Sequence, residues 1–313
     1  QSPWFTRIAI AVWRLFTDLA LSEARKKRFD SIHDCFTREL RDGARDIDPR
    51  HEVLTSPCDA IVGACGTVER GQVLQAKGMP YALADLFGPS QDSSVFEGGR
   101  YVTLRLTSAM YHRFHSPHDC TALHVTYISG DTWNVNPIAL ARVERLFCRN
   151  ERALVRLRLK EGGQTIALVP VAAVLVASMR FHFLDVARTL RQRGANEPPC
   201  HAPLAKGQEM GWFEHGSTII VFAPAGFALC EGLAPGSRLR MGEALIRCAR
   251  ALQTTRVVAA VERADHADLG KDVGEVAGLG RIGVLLCADL VAAAEHAAVL
   301  IDFSDHRAVP GHV

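Results

Sequence analysis

The sequence has little net charge, no CxxC pair and no long uninterrupted apolar run. Its 36 Lys+Arg stand against 34 Asp+Glu, a formal +2 over 313 residues, which excludes the basic footprint of a nucleic-acid binder. The nine cysteines, at 35, 58, 65, 120, 148, 200, 230, 248 and 287, are odd in number and have no zinc-ligand spacing. A disulfide scaffold is therefore excluded, no metal site is expected, and reduced thiols in a cytosolic compartment fit the pattern. Arg7, Arg14 and Asp18 break the apolar stretches near the start, so no run of about 18 apolar residues is available to span a bilayer. No signal peptide, internal repeat or low-complexity segment is visible, and the missing initiator Met suggests a trimmed or fragmentary start. At 48% hydrophobic residues, the chain can bury the core of one large domain or of two ordinary ones.

The small net charge hides an uneven distribution. Residues 251–313 hold five Lys/Arg against nine Asp/Glu, which leaves +6 on residues 1–250. All four Trp (4, 13, 133, 212) and all four Tyr (81, 101, 111, 127) also precede residue 251. This break predicts two pieces of different character.

The first piece opens on a helical pattern. Arg7, Arg14, Asp18 and Arg25 fall on one stripe at 100° per residue, while Trp4, Phe5, Ile8, Ile10, Val12, Trp13, Leu15, Phe16, Leu19 and Leu21 cover the rest, and Arg25-Lys26-Lys27-Arg28 follows. Such a helix suits an anionic membrane interface, and it equally suits docking on its own domain. A second helix is expected around Asp30–Arg41 and a turn at Asp46–Pro49. The period then becomes two. Tyr101–Thr107 alternates, Leu154–Lys160 and Thr165–Val176 flank a Glu161-Gly162-Gly163-Gln164 turn, and Thr121–Ile128 and Ser217–Phe222 are rich in β formers. Residues 50–247 should thus form a mostly antiparallel β domain, with one solvated face on the Arg-rich strand. From Met241 to about Leu252 the pattern turns helical, and Arg256–Val261 and Ala298–Phe303 look like short buried strands separated by Gly-rich joints at 270–283, giving α/β character.

Two segments can carry chemistry. Tyr111-His112-Arg113-Phe114-His115-Ser116-Pro117-His118 holds three imidazoles, side chains that exchange protons near neutrality. Catalytic, metal-binding and ordinary loop roles are all open to them, although no carboxylate or Cys set supports a metal. The second segment, Lys206-Gly207-Gln208-Glu209-Met210-Gly211, leads to His215-Gly216-Ser217-Thr218 before an apolar strand. Gly-Ser-Thr there is an ordinary turn unless a buried His deprotonates the serine, which would make Ser217 a nucleophile. Asp59, in Ser56-Pro57-Cys58-Asp59, could orient such a base.

These motifs, with Phe36-Thr37-Arg38-Glu39-Leu40-Arg41, Gly43-Ala44-Arg45, Leu74-Gln75-Ala76-Lys77-Gly78, Val135-Asn136 and Leu146-Phe147-x-x-Asn150-Glu151-Arg152 in the same order, resemble the phosphatidylserine decarboxylase proenzyme family over about residues 5–247. The resemblance implies that Asp59 orients His115, that His115 deprotonates Ser217, and that Ser217 attacks the Gly216 carbonyl. Cleavage between 216 and 217 would leave a β subunit, 1–216, and an α subunit whose first residue becomes a pyruvoyl group, the cofactor. An electron-withdrawing carbonyl is what loss of CO₂ from an α-amino acid needs, since no ordinary side chain delocalises the charge left at Cα. By the same resemblance His112 serves acid/base work in decarboxylation, and His118 has no assigned role. His215 departs from the aliphatic residue usual in the family, as do Ala172, Ala173 and Ala177 from its glycines.

Met241-Gly242-Glu243-Ala244-Leu245-Ile246, Val257–Glu262, Leu269-Gly270-Lys271-Asp272 and Val299–Ser304 are similar to the nucleotide-binding domain of dihydrodipicolinate reductase (about 240–313), where the residue matching Glu262 contacts the cofactor ribose. The glycine loop of that site is broken by Leu239 in Gly236-Ser237-Arg238-Leu239-Arg240-Met241-Gly242. The expected fold is therefore α+β: N-terminal membrane-associating helices (1–48), an antiparallel β-rich decarboxylase core (49–247), and a truncated Rossmann-like segment (248–313) without reductase activity. The expected partners are phosphatidylserine in an anionic membrane, the paired α and β subunits and further copies of the chain, with no nucleic acid, at the cytoplasmic face of the cell membrane. Alternatives are a pyruvoyl-dependent decarboxylase of a related phospholipid headgroup, an unprocessed membrane-binding homologue, and a nicotinamide-binding module.

Overall fold

Eight antiparallel strands form the central sheet, in the spatial order Pro199–Leu204, Cys120–Ile128, Arg152–Leu159, Thr165–Ala172, Ser217–Ala223, Arg100–Arg105, Ala60–Thr67 and Arg238–Leu239. The computed structural model describes residues 3–74, 79–88, 91–174, 179–185, 199–215, 217–248, 257–276, 281–295 and 297. Gly216, Gln75–Gly78, Ala177 and the strand expected at 298–303 lie outside the described residues. The chain divides into two compact units, Gln1–Ala249 and Arg250–Val313.

The run Ser217–Ala223 is apolar without alternation because its strand sits inside the sheet with both faces covered. Ile219 and Val221 enter a cluster with Val102, Leu104 and Leu157. Ile220 and Phe222 enter a second cluster on the other side with Tyr101 and Val169. Each such fully buried side chain contributes about 1.5–3 kcal/mol. The expected hairpin is present as Arg152–Leu159 and Thr165–Ala172, turned by Gly162 and Gly163, both at positive φ. Its Arg-rich strand is solvated only at its far end. Arg158 is exposed, whereas Arg152 is buried and donates to the carbonyls of Leu86, Asp85, Cys148 and Asn150.

Two three-stranded sheets flank the large one. Met179–Phe181, Glu209–Phe213 and Arg113–His115 form one, and Val53–Thr55, Ala244–Cys248 and Phe227–Leu229 form the other. As far as Cys248 the second corrects the helix expected over Met241–Leu252, whose last residues, 249–252, lie outside the described ones. Ala244–Cys248 is a strand, paired antiparallel on both edges, with Leu245 and Ile246 in the first core cluster. Spacing alone let these residues pass for one face of a helix, and two strand partners distant in sequence decide otherwise.

The first helix, Pro3–Phe16, ends before Asp18, so the expected polar stripe keeps only Arg7 and Arg14. Asp18 pairs with Arg238 and Arg25 with Glu39. Thr6, Ile10 and Trp13 turn inward, Ile10 and Trp13 packing with Phe29, Cys35 and Ala109. Trp4, Phe5, Ile8, Val12, Leu15 and Phe16 remain exposed, Leu15 and Phe16 by 79% and 82%. One helix thus has a docked face and a bare apolar face. No helix among the described residues is long and apolar enough to cross a membrane. The second helix is shorter than expected, Ile32–Phe36, capped by Ser31, whose side chain accepts from Asp34 N.

In the second unit, Ala260–Val261 and Leu286–Cys287 pair in parallel. Glu262 follows the first of them and donates its N–H to the Cys287 carbonyl. Asp289 caps the helix Leu290–Ala294. Parallel pairing and a capped helix after a strand agree with the α/β character expected of this segment.

Candidate active site

The turn Ser56–Asp59 and the strand Arg113–His115 are tied together by the His115 N–H, which donates to the Pro57 carbonyl at 2.8 Å. His115 is 8% exposed. Its Nδ1 lies 2.9 Å from the Gly207 carbonyl and its Nε2 3.0 Å from the Tyr111 hydroxyl. A carbonyl only accepts, so Nδ1 carries the proton and Nε2 presents the basic lone pair, toward which Tyr111 donates. Burial pushes the imidazole pKa down, which keeps the ring neutral, while the Glu209 and Asp59 charges oppose that shift.

Asp59 does not hydrogen-bond His115. Its Oδ1 accepts from Arg45 Nε and from Met241 N, both at 2.9 Å, and its Oδ2 accepts from Arg45 Nη2 at 2.5 Å. Arg45 also donates to Glu23 at 2.7 Å and lies 5.9 Å over the Tyr111 ring. Despite the cost of its burial, these two carboxylates push its pKa up. Asp59 is thus built into a chain of alternating charges, Glu23–Arg45–Asp59, that borders His115 through Tyr111.

His112 is fully buried. Its Nδ1 lies 2.9 Å from the Met110 carbonyl, its ring stacks on Phe36 at 3.8 Å, and its Nε2 has no partner. Burial is the first cause of a pKa lowered to about 3, and the neighbouring Arg38 and His215 act in the same direction. The Phe213 N–H donates to the His112 carbonyl, tying the imidazole to the segment that runs into Ser217.

Ser217 is fully buried at the start of its strand, its Oγ without a partner. Its carbonyl accepts from Leu106 N at 3.2 Å, and its neighbour across the sheet is Ala172. Ala172 is held in turn by Asn150 Nδ2 and by the Glu151 carbonyl. Alternation along the strand turns Thr218 to the opposite face, so its unpartnered hydroxyl is not in the same space. His215 is half-buried, Nδ1 unpartnered, its ring 6.1 Å from both His33 and Phe36. His118 is anchored elsewhere, Nε2 at 2.5 Å from the His51 carbonyl.

Asp59, Tyr111 and His115 are therefore assembled into one network, and His112 and Ser217 are two buried groups with unspent hydrogen-bonding capacity. An unmade buried bond costs about 1–3 kcal/mol, and a catalytic role is one reason for a native protein to retain it. Sequence reasoning missed the parts played by Phe36, Arg45 and Tyr111. Each stands in a motif quoted above, but nothing local shows that an arginine at 45 meets Asp59 or that a phenylalanine at 36 covers His112.

A serine and two imidazoles buried in an antiparallel β core are side chains of the kind that act as nucleophile and base in enzymes. The model of the family "Phosphatidylserine decarboxylase" matches residues 32–247. The chain is 34% identical to a phosphatidylserine decarboxylase proenzyme of Aliivibrio salmonicida (strain LFI1238), covering 76% of this chain and 86% of that one. It is 39% identical to that of Anaeromyxobacter sp. (strain K), covering 69% and 78%. This chain belongs to the phosphatidylserine decarboxylase family. A second model, "Dihydrodipicolinate reductase, N-terminus", matches residues 235–313, so the two matches share 235–247.

Proposed function

We propose that the chain is a proenzyme that cuts itself between Gly216 and Ser217 and then converts phosphatidylserine to phosphatidylethanolamine and CO₂. The single observation that carries the self-cutting step is the fully buried, unpartnered Oγ of Ser217. A neutral imidazole can take a proton from that hydroxyl, and His115 is kept neutral by burial. To accept it at Nε2, His115 must first give up the Tyr111 bond. Oγ attacks the Gly216 carbonyl and the 216–217 amide becomes an ester. Loss of the residue 217 α-proton and departure of the Gly216 carboxylate leave dehydroalanine, which takes up water and releases ammonia.

The resulting pyruvoyl group suits the place. The side chain of residue 217 is buried, and His112 Nε2, likewise buried and unpartnered, has a lone pair free to take a proton. When present, the pyruvoyl supplies a ketone that takes up the headgroup amine and withdraws the electron pair freed by CO₂ loss. His112, neutral and oriented by the Met110 carbonyl, presents Nε2 as a base that takes the proton shed by the headgroup ammonium as it condenses and returns that proton to Cα once CO₂ has left. The bare face Trp4–Phe16 and the exposed Lys27 and Arg28 support seating on an anionic membrane surface.

Mass spectrometry of the purified protein tests the reading. Two chains split at Gly216/Ser217 are expected, the smaller with a blocked N-terminus, together with CO₂ release from phosphatidylserine. One intact chain with full activity would refute the mechanism. His112→Ala should still be cut yet lose most decarboxylation, and failure to be cut would show that the two histidines divide the work differently.

A further inference from the structure

A cleft of about 540 Å³ opens beside the site, with Met110, Tyr111, Arg38, Arg45, Arg238 and Arg240 among its lining residues. Three of these arginines are already paired with the cleft's own carboxylates. Arg45 binds Asp59 and Glu23, Arg240 binds Glu23, and Arg238 binds Asp18. The fourth carboxylate, Glu243, accepts from the Arg240 backbone N–H.

Arg38 is the exception. It is 5% exposed and makes no ion pair among the described residues. Its Nη2 donates to the Ala109 carbonyl at 2.8 Å and its Nη1 to the Cys35 carbonyl at 3.2 Å, while its Nε is buried and bonded to nothing. A guanidinium has five N–H donors and stays protonated in proteins, so a full positive charge with donors to spare sits at the cleft against neutral carbonyls. Asp59 acts on it only through space, and a buried charge with no counter-charge bonded to it is expensive. A ligand oxyanion would remove that cost, and the planar fork is suited to binding one with two parallel bonds.

Resting on the decarboxylase reading above, we propose that Arg38 binds the phosphodiester of the lipid headgroup in this cleft. The other anion of the headgroup, the carboxylate, is the wrong ligand. Its charge leaves for Cα in the transition state, so a cation fixed on it would stabilise the ground state and oppose the reaction. The phosphodiester keeps its charge throughout and lies only a few bonds from the amine. Adjacent carbonyls hold Arg38 and His112: the guanidinium donates to that of Ala109, and that of Met110 orients His112. Binding of this kind is equal in ground and transition states and is read in KM, with kcat unchanged. Arg38 is then a specificity-determining residue that selects phosphodiesters of serine over serine ethers.

The test uses water-soluble glycerophosphoserine and O-methylserine, which separates the headgroup from attraction to a lipid surface. The self-processed wild-type enzyme should prefer glycerophosphoserine in kcat/KM by about 10–100-fold, the worth of a charge-assisted pair. Arg38→Met should raise KM for glycerophosphoserine, leave kcat, and bring the two substrates close to parity, with Arg38→Lys intermediate. Self-cleavage of each variant reports that it has folded. An unchanged preference in cleaved variants, or a lower kcat at unchanged KM, would overturn the proposal. Should neither variant be cut, the wild type decides: equal kcat/KM for the two substrates sinks the proposal, and a preference of about tenfold or more sustains it. A wild-type enzyme that releases no CO₂ from phosphatidylserine refutes the decarboxylase reading itself, and does so before any substitution is made.

Discussion

Acidification should destabilise the uncut chain through His112, and the size of the effect can be worked from its surroundings. The imidazole is fully buried, its Nδ1 is committed to the Met110 carbonyl, its face is against Phe36, and no carboxylate is bonded to Nε2. Burial lowers its pKa from 6.5 to about 3. The unfolded chain therefore binds a proton near pH 6.5 that the folded chain refuses until about pH 3. The stabilisation is full above the unfolded value and is lost progressively as pH falls from 6.5 toward 3. At pH 5 the loss is about 2 kcal/mol, one pKa unit being worth about 1.4. Ser217→Ala keeps the chain whole for the measurement. Urea unfolding at pH 7 and pH 5, with and without the added change His112→Gln, isolates the contribution, because the other titrating groups cancel in the difference. The His112 chain should lose about 2 kcal/mol more than the Gln chain over that interval. Equal losses would refute the claim that a neutral imidazole is enforced at this position.

Three further outcomes follow from the same geometry. Arg45→Met strips Asp59 and Glu23 of a shared, nearly buried cation and should cost about 3 kcal/mol in urea unfolding; a loss below about 1 kcal/mol would mean that water replaces the guanidinium. Gly211→Ala places a Cβ 1.9 Å from the Arg180 carbonyl oxygen, so the Met179–Phe181 and Glu209–Phe213 pair must separate. Self-cleavage, followed by gel, should fall at least tenfold, since a shift of about 1.4 kcal/mol in the reactive population already does that. Deletion of residues 1–28 removes the bare apolar helix face and should abolish flotation with anionic liposomes; undiminished flotation would place the membrane contact elsewhere.

What could be read in the sequence was what is local or what is carried by ordered motifs. The hairpin at Gly162-Gly163 and the strand at Ser217 were plain because turn chemistry and period act over a few residues. Ser217, His112 and His115 were singled out through their motifs, and the structure places all three in the interior. Their partners were not legible. Arg45 reaches Asp59 across 14 residues, and Arg38 reaches Ala109 across 71. Pairings of that kind are made by tertiary closure and leave no periodic trace. The helical expectation over Met241–Leu252 failed for the same reason: a strand that pairs with residues near 54 and 228 looks, taken alone, like an amphipathic turn.

That strand fixes where the chain can be divided. Residues 235–247 satisfy two family patterns at once, but a backbone can donate its hydrogen bonds only once, and Ala244–Cys248 has given both its edges to Val53–Thr55 and Phe227–Leu229. A cut on the N-terminal side of Ala244 would leave those two outer strands facing an empty groove and would open the first core cluster where Leu245 and Ile246 enter it. A cut beyond Cys248 would remove no strand of the decarboxylase unit. The seam between the two pieces is therefore asymmetric: the downstream piece can be shed from the upstream one at Cys248, while the downstream piece cannot reclaim the shared residues without unravelling its neighbour.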